Sequence, residues 1–223
     1  MNKIIFVIGP PGAGKGTQAR LLVEKTGFYH FITSREGKEY IAKHKAEDLE
    51  TARQEKLYKE GILFEPEWLL RAQKERVGEI LADNNIAGIV FDGSPRTLFE
   101  AENLPAFLSE SVGKENIVGI VVDVSAEETK KRAGERLVCN KNENHVVSTR
   151  LNIGVKIGDK CPICDGVLQK RDLDAEIDER VRQYQERTVP GIEYLKKNYK
   201  VFIINGAQPV EKIHADIMAA LQF

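Results

Sequence analysis

The chain is poor in the features that mark exported, membrane-bound or polyanion-coating proteins. Cysteine is scarce, three in 223 residues, an odd number with two in one Cys-x-x-Cys pair. That argues against a disulfide framework and fits a reducing compartment and a metal site. No apolar stretch approaches the roughly 20 residues a membrane helix needs. The first strand-like run starts at Lys3 with no cationic leader or cleavage site, so a cytoplasmic protein is expected. Charge of one sign is also missing. The 33 basic and 34 acidic side chains leave a net charge of -1, too little for a global pull toward nucleic acid or an anionic membrane. Any anion site must therefore be local. There is no internal repeat or low-complexity tract.

What is present is an ordinary globular composition, 42% hydrophobic and 30% charged. Five short apolar runs read as strands: 3–9, 29–33, 88–92, 117–124 and 200–205. Several are apolar throughout, as strands covered on both faces are, and helical segments separate them. The expected fold is α/β, a three-layer α/β/α sandwich around a five-stranded parallel sheet. Pro66 opens a helix with Leu70, Val77 and Leu81 on one face, ended by Asn84 and Asn85. Ser125 and Glu128 predict a capping box for a helix reaching about Leu137. Val210, Ile213, Ile217 and Leu221 predict a final helix packed on the sheet. Two stretches break the alternation: 34–65, with two charged helical segments, and 139–173, irregular, polar and holding all three cysteines. Both read as insertions over the carboxyl edge of the sheet, where α/β folds bind ligands.

Directly after the first run comes GPPGAGKGTQA, residues 9–19, with a helix opening at about Lys15. Gly9, Gly12, Gly14 and Gly16 let the loop's backbone N–H groups, that of Ala13 among them, turn inward on a triphosphate, and the helix presents its positive end to the same anion. Lys15 supplies a mobile cation for the β- and γ-phosphates, and the Thr17 hydroxyl a Mg²⁺ ligand. Gly16 follows the lysine, so the hydroxyl comes one residue later than in most P-loops.

This loop resembles that of the adenylate kinase family, with its G-x-P-G-x-G-K-G-T-Q form. FDGSPRT at 91–97, RAGERLVC at 132–139 and INGAQPV at 204–210 extend the likeness over essentially the whole chain. The resemblance implies phosphoryl transfer from ATP to AMP, with nucleotides as partners, no nucleic acid or membrane, and a monomer. It implies a core of 1–33, 67–138 and 174–223, a mobile monophosphate-binding insertion over 34–66 and a mobile lid over 139–173. Lys15 and the loop amides then hold ATP phosphates, and Asp92 holds Mg²⁺ through water. Arg132 and Gln208 lie at the ATP adenine, Arg136 grips its phosphates, and Arg96, Arg171 and Arg180 clamp the acceptor phosphate and the moving group. The spacing of Arg132 and Arg136 would put both on one helix face.

On the acceptor side the resemblance points to Thr33, Lys38, Phe64, Gly93 and Glu100. Lys38 stands where the family has arginine, with Arg35 nearby to compensate. Glu100 replaces a glutamine that pairs with adenine, and an ionised glutamate complements guanine better, so GMP or another monophosphate is the alternative acceptor. In the lid, Cys139, Cys161 and Cys164 need a fourth ligand for structural zinc. Zinc-bearing lids of the family place a cysteine at Asn142, and His145 is the preferred substitute here. Phosphoryl transfer to a phosphate oxygen needs cations rather than a base, because the acceptor is already ionised near neutral pH. A distant alternative is an ATP-binding regulatory protein with a zinc-ribbon nucleic-acid module. Against it, Lys156 and Lys160 are offset by Asp159 and Asp165, and the insertion has no aromatic residues for stacking.

Overall fold

The computed structural model describes residues 3–60, 62–83, 85–142, 145–149, 154–170 and 177–223. All five expected strands form, within two residues of the expected ends: β1 Lys3–Ile8, β2 Tyr29–Ile32, β3 Gly88–Asp92, β4 Ile117–Asp123 and, late in the chain, β8 Lys200–Asn205. They pair in parallel in the order β2-β3-β1-β4-β8. The first strand is thus central, with later strands added on both sides of it. The switch in direction beside β1 puts the chain that leaves it in the crevice at the carboxyl edge.

Alternation along β1 divides the core. Ile4, Phe6 and Ile8 face Leu104, Leu108, Val77 and Leu195, from α5 (Leu98–Val112), α4 (Pro66–Leu81) and α8 (Val189–Asn198). Ile5 and Val7 face Leu22, Ile213, Ile217 and Leu221, from α1 (Lys15–Thr26) and α9 (Val210–Leu221). Each large side chain fully buried here contributes about 1.5–3 kcal/mol. Three layers result, as the two-sided hydrophobicity of the strands requires.

The stretch after β2 forms two helices, α2 Thr33–His44 and α3 Leu49–Lys59. Their small core, Ile41, Phe64, Trp68, Leu69 and Ala72, is shared with the first turns of α4. Trp68 Nε1 closes it with a 2.9 Å hydrogen bond to Thr51 Oγ1.

Three expectations are corrected. The helix begun at Ser125, α6, spans Ala126–Gly134 and does not reach Leu137. Arg136 opens a strand instead, β5 Arg136–Cys139, which pairs antiparallel with β6 Val146–Ser148 and β7 Leu168–Lys170. Leu137, Cys139, Val147, Cys161 and Leu168 bury one another there, and that packing overrides the helical tendency of the preceding residues. The 139–173 stretch is therefore built around a small sheet rather than being irregular throughout. Arg132 lies on α6 and Arg136 on β5, so they do not share a helix face. The last segment of the core, α7 Ile177–Gln183, continues through a π turn, Tyr184–Thr188, into α8. Asn84 lies outside the described residues.

Candidate active site

The loop after β1 makes the floor of a cleft. Gly9 crosses so close to β4 that a β-carbon would collide with the Val122 carbonyl, and Gly14, at φ +91°, turns the chain into α1. α1 starts at Lys15 without a side-chain cap and without an acidic residue in its first turn, which leaves its first amides to an anion. Ala13 is buried against the sheet, and Gly12 lies under Arg132, whose β-carbon would stand 3.4 Å from a β-carbon at position 12.

Lys15 Nζ donates to the Pro10 carbonyl at 2.7 Å. Its pKa is lowered to about 7, chiefly by desolvation; Asp92 opposes that lowering, and Arg96, Arg180 and Arg136 add to it. These four charged groups, from the 93–97 turn, α7, β5 and the end of β3, thus all lie close enough to one ammonium to act on its charge. Asp92 Oδ2 stands 3.5 Å from His30 Nε2 on the neighbouring strand, and a β-carbon at Gly16 would come within 3.1 Å of the same oxygen.

Arg132 is held by Glu128, Nε to Oε1 at 2.6 Å, and donates to the Gly206 carbonyl at 2.9 Å. It thereby meets the 204–210 segment, where Gln208 Nε2 donates to the Asn205 carbonyl at 2.9 Å and Asp216 at 3.1 Å. Thr17 is half-buried in the first turn of α1.

On the other side, Thr33 begins α2 with its hydroxyl 3.2 Å from the Asp92 carbonyl and 3.0 Å from Ser94 Oγ. Gln73 of α4 donates to Ser94 at 2.6 Å. Gly93, at φ +96°, turns its carbonyl onto Arg96, whose Nε donates to it at 2.8 Å. Lys38 lies exposed on α2 with its ammonium 4.8 Å from the Tyr58 ring centre. Arg35 does not stand in for it, because its guanidinium is taken by the buried Glu36 at 2.8 Å and the His30 carbonyl at 2.5 Å. Phe64 stacks on Tyr58, ring centres 5.1 Å apart, and occupies the room that any side chain at Gly37 would need.

Glu100 is only 2% exposed, and burial pushes its carboxyl pKa up. Its oxygens receive the Ser94 and Thr97 hydroxyls at 3.2 Å each and the Arg96 N–H at 3.3 Å, while its own N–H donates to Thr97 Oγ1 at 3.1 Å. Thr97-x-x-Glu100 is the capping arrangement of α5. Three donors at its own helix start engage this carboxyl group, which leaves it less free to complement guanine and weakens the ground for that alternative. The sequence signal was a threonine three residues before the glutamate. Gln73 and His30, which also frame the cleft, lie in no motif, whereas Ser94 falls inside FDGSPRT.

In the small sheet, the ligand atoms of Cys139, His145, Cys161 and Cys164 all lie within 4.8 Å of one another. Cys139 Sγ and Cys164 Sγ are 3.5 Å apart, and Cys161 Sγ is 3.7 Å from His145 Nδ1. A tetrahedral site with bonds of about 2.1–2.3 Å asks for edges of roughly 3.5–3.8 Å, which these distances suit. N–H groups of Lys141, Ile163 and Gly166 each point at a cysteine sulfur at 3.4 Å. Asn142 Nδ2 stands 3.2 Å from the other ring nitrogen of His145, Nε2. Arg171 lies outside the described residues.

The family model described as Adenylate kinase matches residues 7–200 of this chain. Adenylate kinase of Thermosipho africanus is 32% identical over 220 residues, covering 98% of this chain and 98% of its own length. That of Petrotoga mobilis is 33% identical, covering 98% and 97%, and that of Clostridium botulinum strain Loch Maree 33%, covering 96% and 95%.

Proposed function

The chain belongs to the adenylate kinase family, and from that membership we propose that it transfers the terminal phosphoryl group of ATP to AMP, reversibly, giving two ADP. The observation that carries the reading is the gathering of Arg96, Arg136, Arg180 and Asp92 around Lys15. Phosphoryl transfer runs through a loose transition state with charge spread over the moving group, so positioned cations supply most of the rate enhancement. An oxygen of the AMP phosphate forms the new bond to the γ-phosphorus while the bond to the β–γ bridging oxygen breaks. ADP leaves with that electron pair, and no proton need be removed.

In this reading the 9–17 loop and Lys15 cradle the ATP phosphates. Arg132 and Gln208 flank its adenine, Arg136 holds its phosphates, and Arg96, Arg180 and Arg171 grip the acceptor and the group in flight. Thr33, Lys38, Phe64, Gly93 and the Glu100 cap shape the acceptor pocket. Asp92, through water, and the Thr17 hydroxyl would hold Mg²⁺, whose charge would offset that of the phosphates. Gly16, without a side chain, keeps room beside that carboxylate. Residues 34–66 and 139–173 are the two segments expected to close over AMP and ATP and exclude water.

The donor set Cys139, His145, Cys161 and Cys164 fits a structural zinc, and its distances support that assignment. A lid this small has little core of its own, so a metal would give it shape. A cytoplasmic monomer is in keeping with this chemistry, and among the described residues no helix is long and apolar enough to cross a membrane.

Initial rates with ATP, Mg²⁺ and each of AMP, GMP, CMP and UMP test the reading. AMP is expected to be the preferred acceptor by at least about a hundredfold, well within what sites that hydrogen-bond their substrate reach. Turnover of GMP at a comparable rate would reinstate the guanine alternative.

A further inference from the structure

We propose that Thr188 is a positioning residue for Arg96, holding it in register for the acceptor phosphate; this rests on the reading of Arg96 given above. Thr188 is 8% exposed, and its hydroxyl donates at 2.8 Å to the Arg96 carbonyl, 92 positions earlier in the chain. A helical threonine normally turns its hydroxyl back on the carbonyl four residues before it. Here that carbonyl, of Tyr184, accepts the Val189 N–H of the π turn, and the hydroxyl reaches across to another segment.

The contact is part of a tight seat. One turn on, a β-carbon at Gly191 would lie 2.9 Å from the Thr97 carbonyl and 3.1 Å from Ala101 Cβ, so only glycine lets α8 come this close to the start of α5. Arg96 is therefore held at three points. Its N–H donates to Glu100 at 3.3 Å, its carbonyl accepts from Thr188, and its Nε donates to the Gly93 carbonyl. The first hold comes from α5, the second from the π turn, the third from its own loop. The rod that bears Thr188 also bears Arg180 two turns earlier, on α7. The hydroxyl thus ties the segment carrying one phosphate-binding arginine to the backbone of another. Placement errors of a fraction of an ångström at such a group lower the rate of transfer.

Steady-state rates with ATP and AMP for wild type, Thr188→Val and Thr188→Ser test this. Valine keeps the shape and removes the donor. Losing one hydrogen bond should raise the AMP KM about three- to tenfold and lower kcat by a similar factor, with the ATP KM within about twofold of wild type. Thr188→Ser, which keeps the donor, should restore both to within about twofold. An AMP KM unchanged in Thr188→Val, equal rises in both KM values, or no rescue by serine would overturn the proposal. If the valine variant does not fold, Thr188→Ala is compared with Thr188→Ser by the same criteria. Failure of the wild type to phosphorylate AMP would instead overturn the assigned reaction, and AMP affinity by calorimetry would then decide on the clamp alone.

Discussion

Gly16 stands directly against Asp92: a β-carbon at position 16 would lie 3.1 Å from the carboxylate oxygen. Most phosphate loops put a hydroxyl residue right after the lysine. Here the end of β3 comes so near that the position is left bare and the hydroxyl moves to Thr17. Gly16→Ala should push the Asp92 carboxylate aside by a few tenths of an ångström. The expected result is a loss of about tenfold in kcat with MgATP and little change in melting temperature. An unchanged kcat would show that this carboxylate has no part in the donor site.

Lys15 gives a pH-dependent prediction. Its pKa is held at about 7 by desolvation and by Arg96, Arg180 and Arg136, so in the free protein it is largely neutral at pH 8. Triphosphate binding favours the charged form, so MgATP should bind with net proton uptake at pH 8. Calorimetry in buffers of different ionisation enthalpy measures that uptake, and Lys15→Met should abolish it. The sign for folding is also defined. The unfolded chain binds more protons between about 7 and 10.5, so this group adds stability as pH rises through that window and removes it as pH falls. The melting temperature of Lys15→Met should exceed that of wild type by more at pH 7 than at pH 9.5.

Glu100 separates a cap from a base reader. Glu100→Gln keeps the capping arrangement and should leave the ratio of AMP to GMP turnover within about twofold. Glu100→Ala leaves the Thr97 cap in place but removes the acceptor for the Ser94 and Thr97 hydroxyls and the Arg96 N–H, and should cost about 1–3 kcal/mol of stability and raise the AMP KM. A shift toward or away from GMP in Glu100→Gln would return this residue to base recognition.

The cysteine and histidine cluster should bring one zinc per chain through purification without added metal. Stripping it with a chelator, or making Cys161→Ser, should lower the melting temperature by about 4 °C or more. Metal-free protein with an unchanged melting temperature would rule out a structural ion.

How much could be read in advance follows from where the information sits. Runs such as Ile4–Ile8 and Ile89–Phe91 are apolar because both sheet faces are covered, and that pattern is local, so the strands were plain. The glycines and lysine of the loop were plain for the same reason. Arg136 departs from the helical expectation, because the residues before it continue a helical pattern and only pairing with Val146–Ser148 and Leu168–Lys170 makes it a strand. His145 meeting the cysteines was expected only from the chemistry of a fourth ligand. The Thr188 to Arg96 hydrogen bond, between distant segments, leaves no local trace. Glu100 as a cap was legible in Thr97-x-x-Glu100 and was obscured by the family motif around it.

The most direct test of converging cations as the source of catalysis is kcat for Arg180→Met at saturating ATP and AMP. A loss of about a hundred- to a thousandfold with both KM values nearly unchanged is predicted, as for removal of a group that acts chiefly in the transition state. A kcat close to wild type would contradict the account.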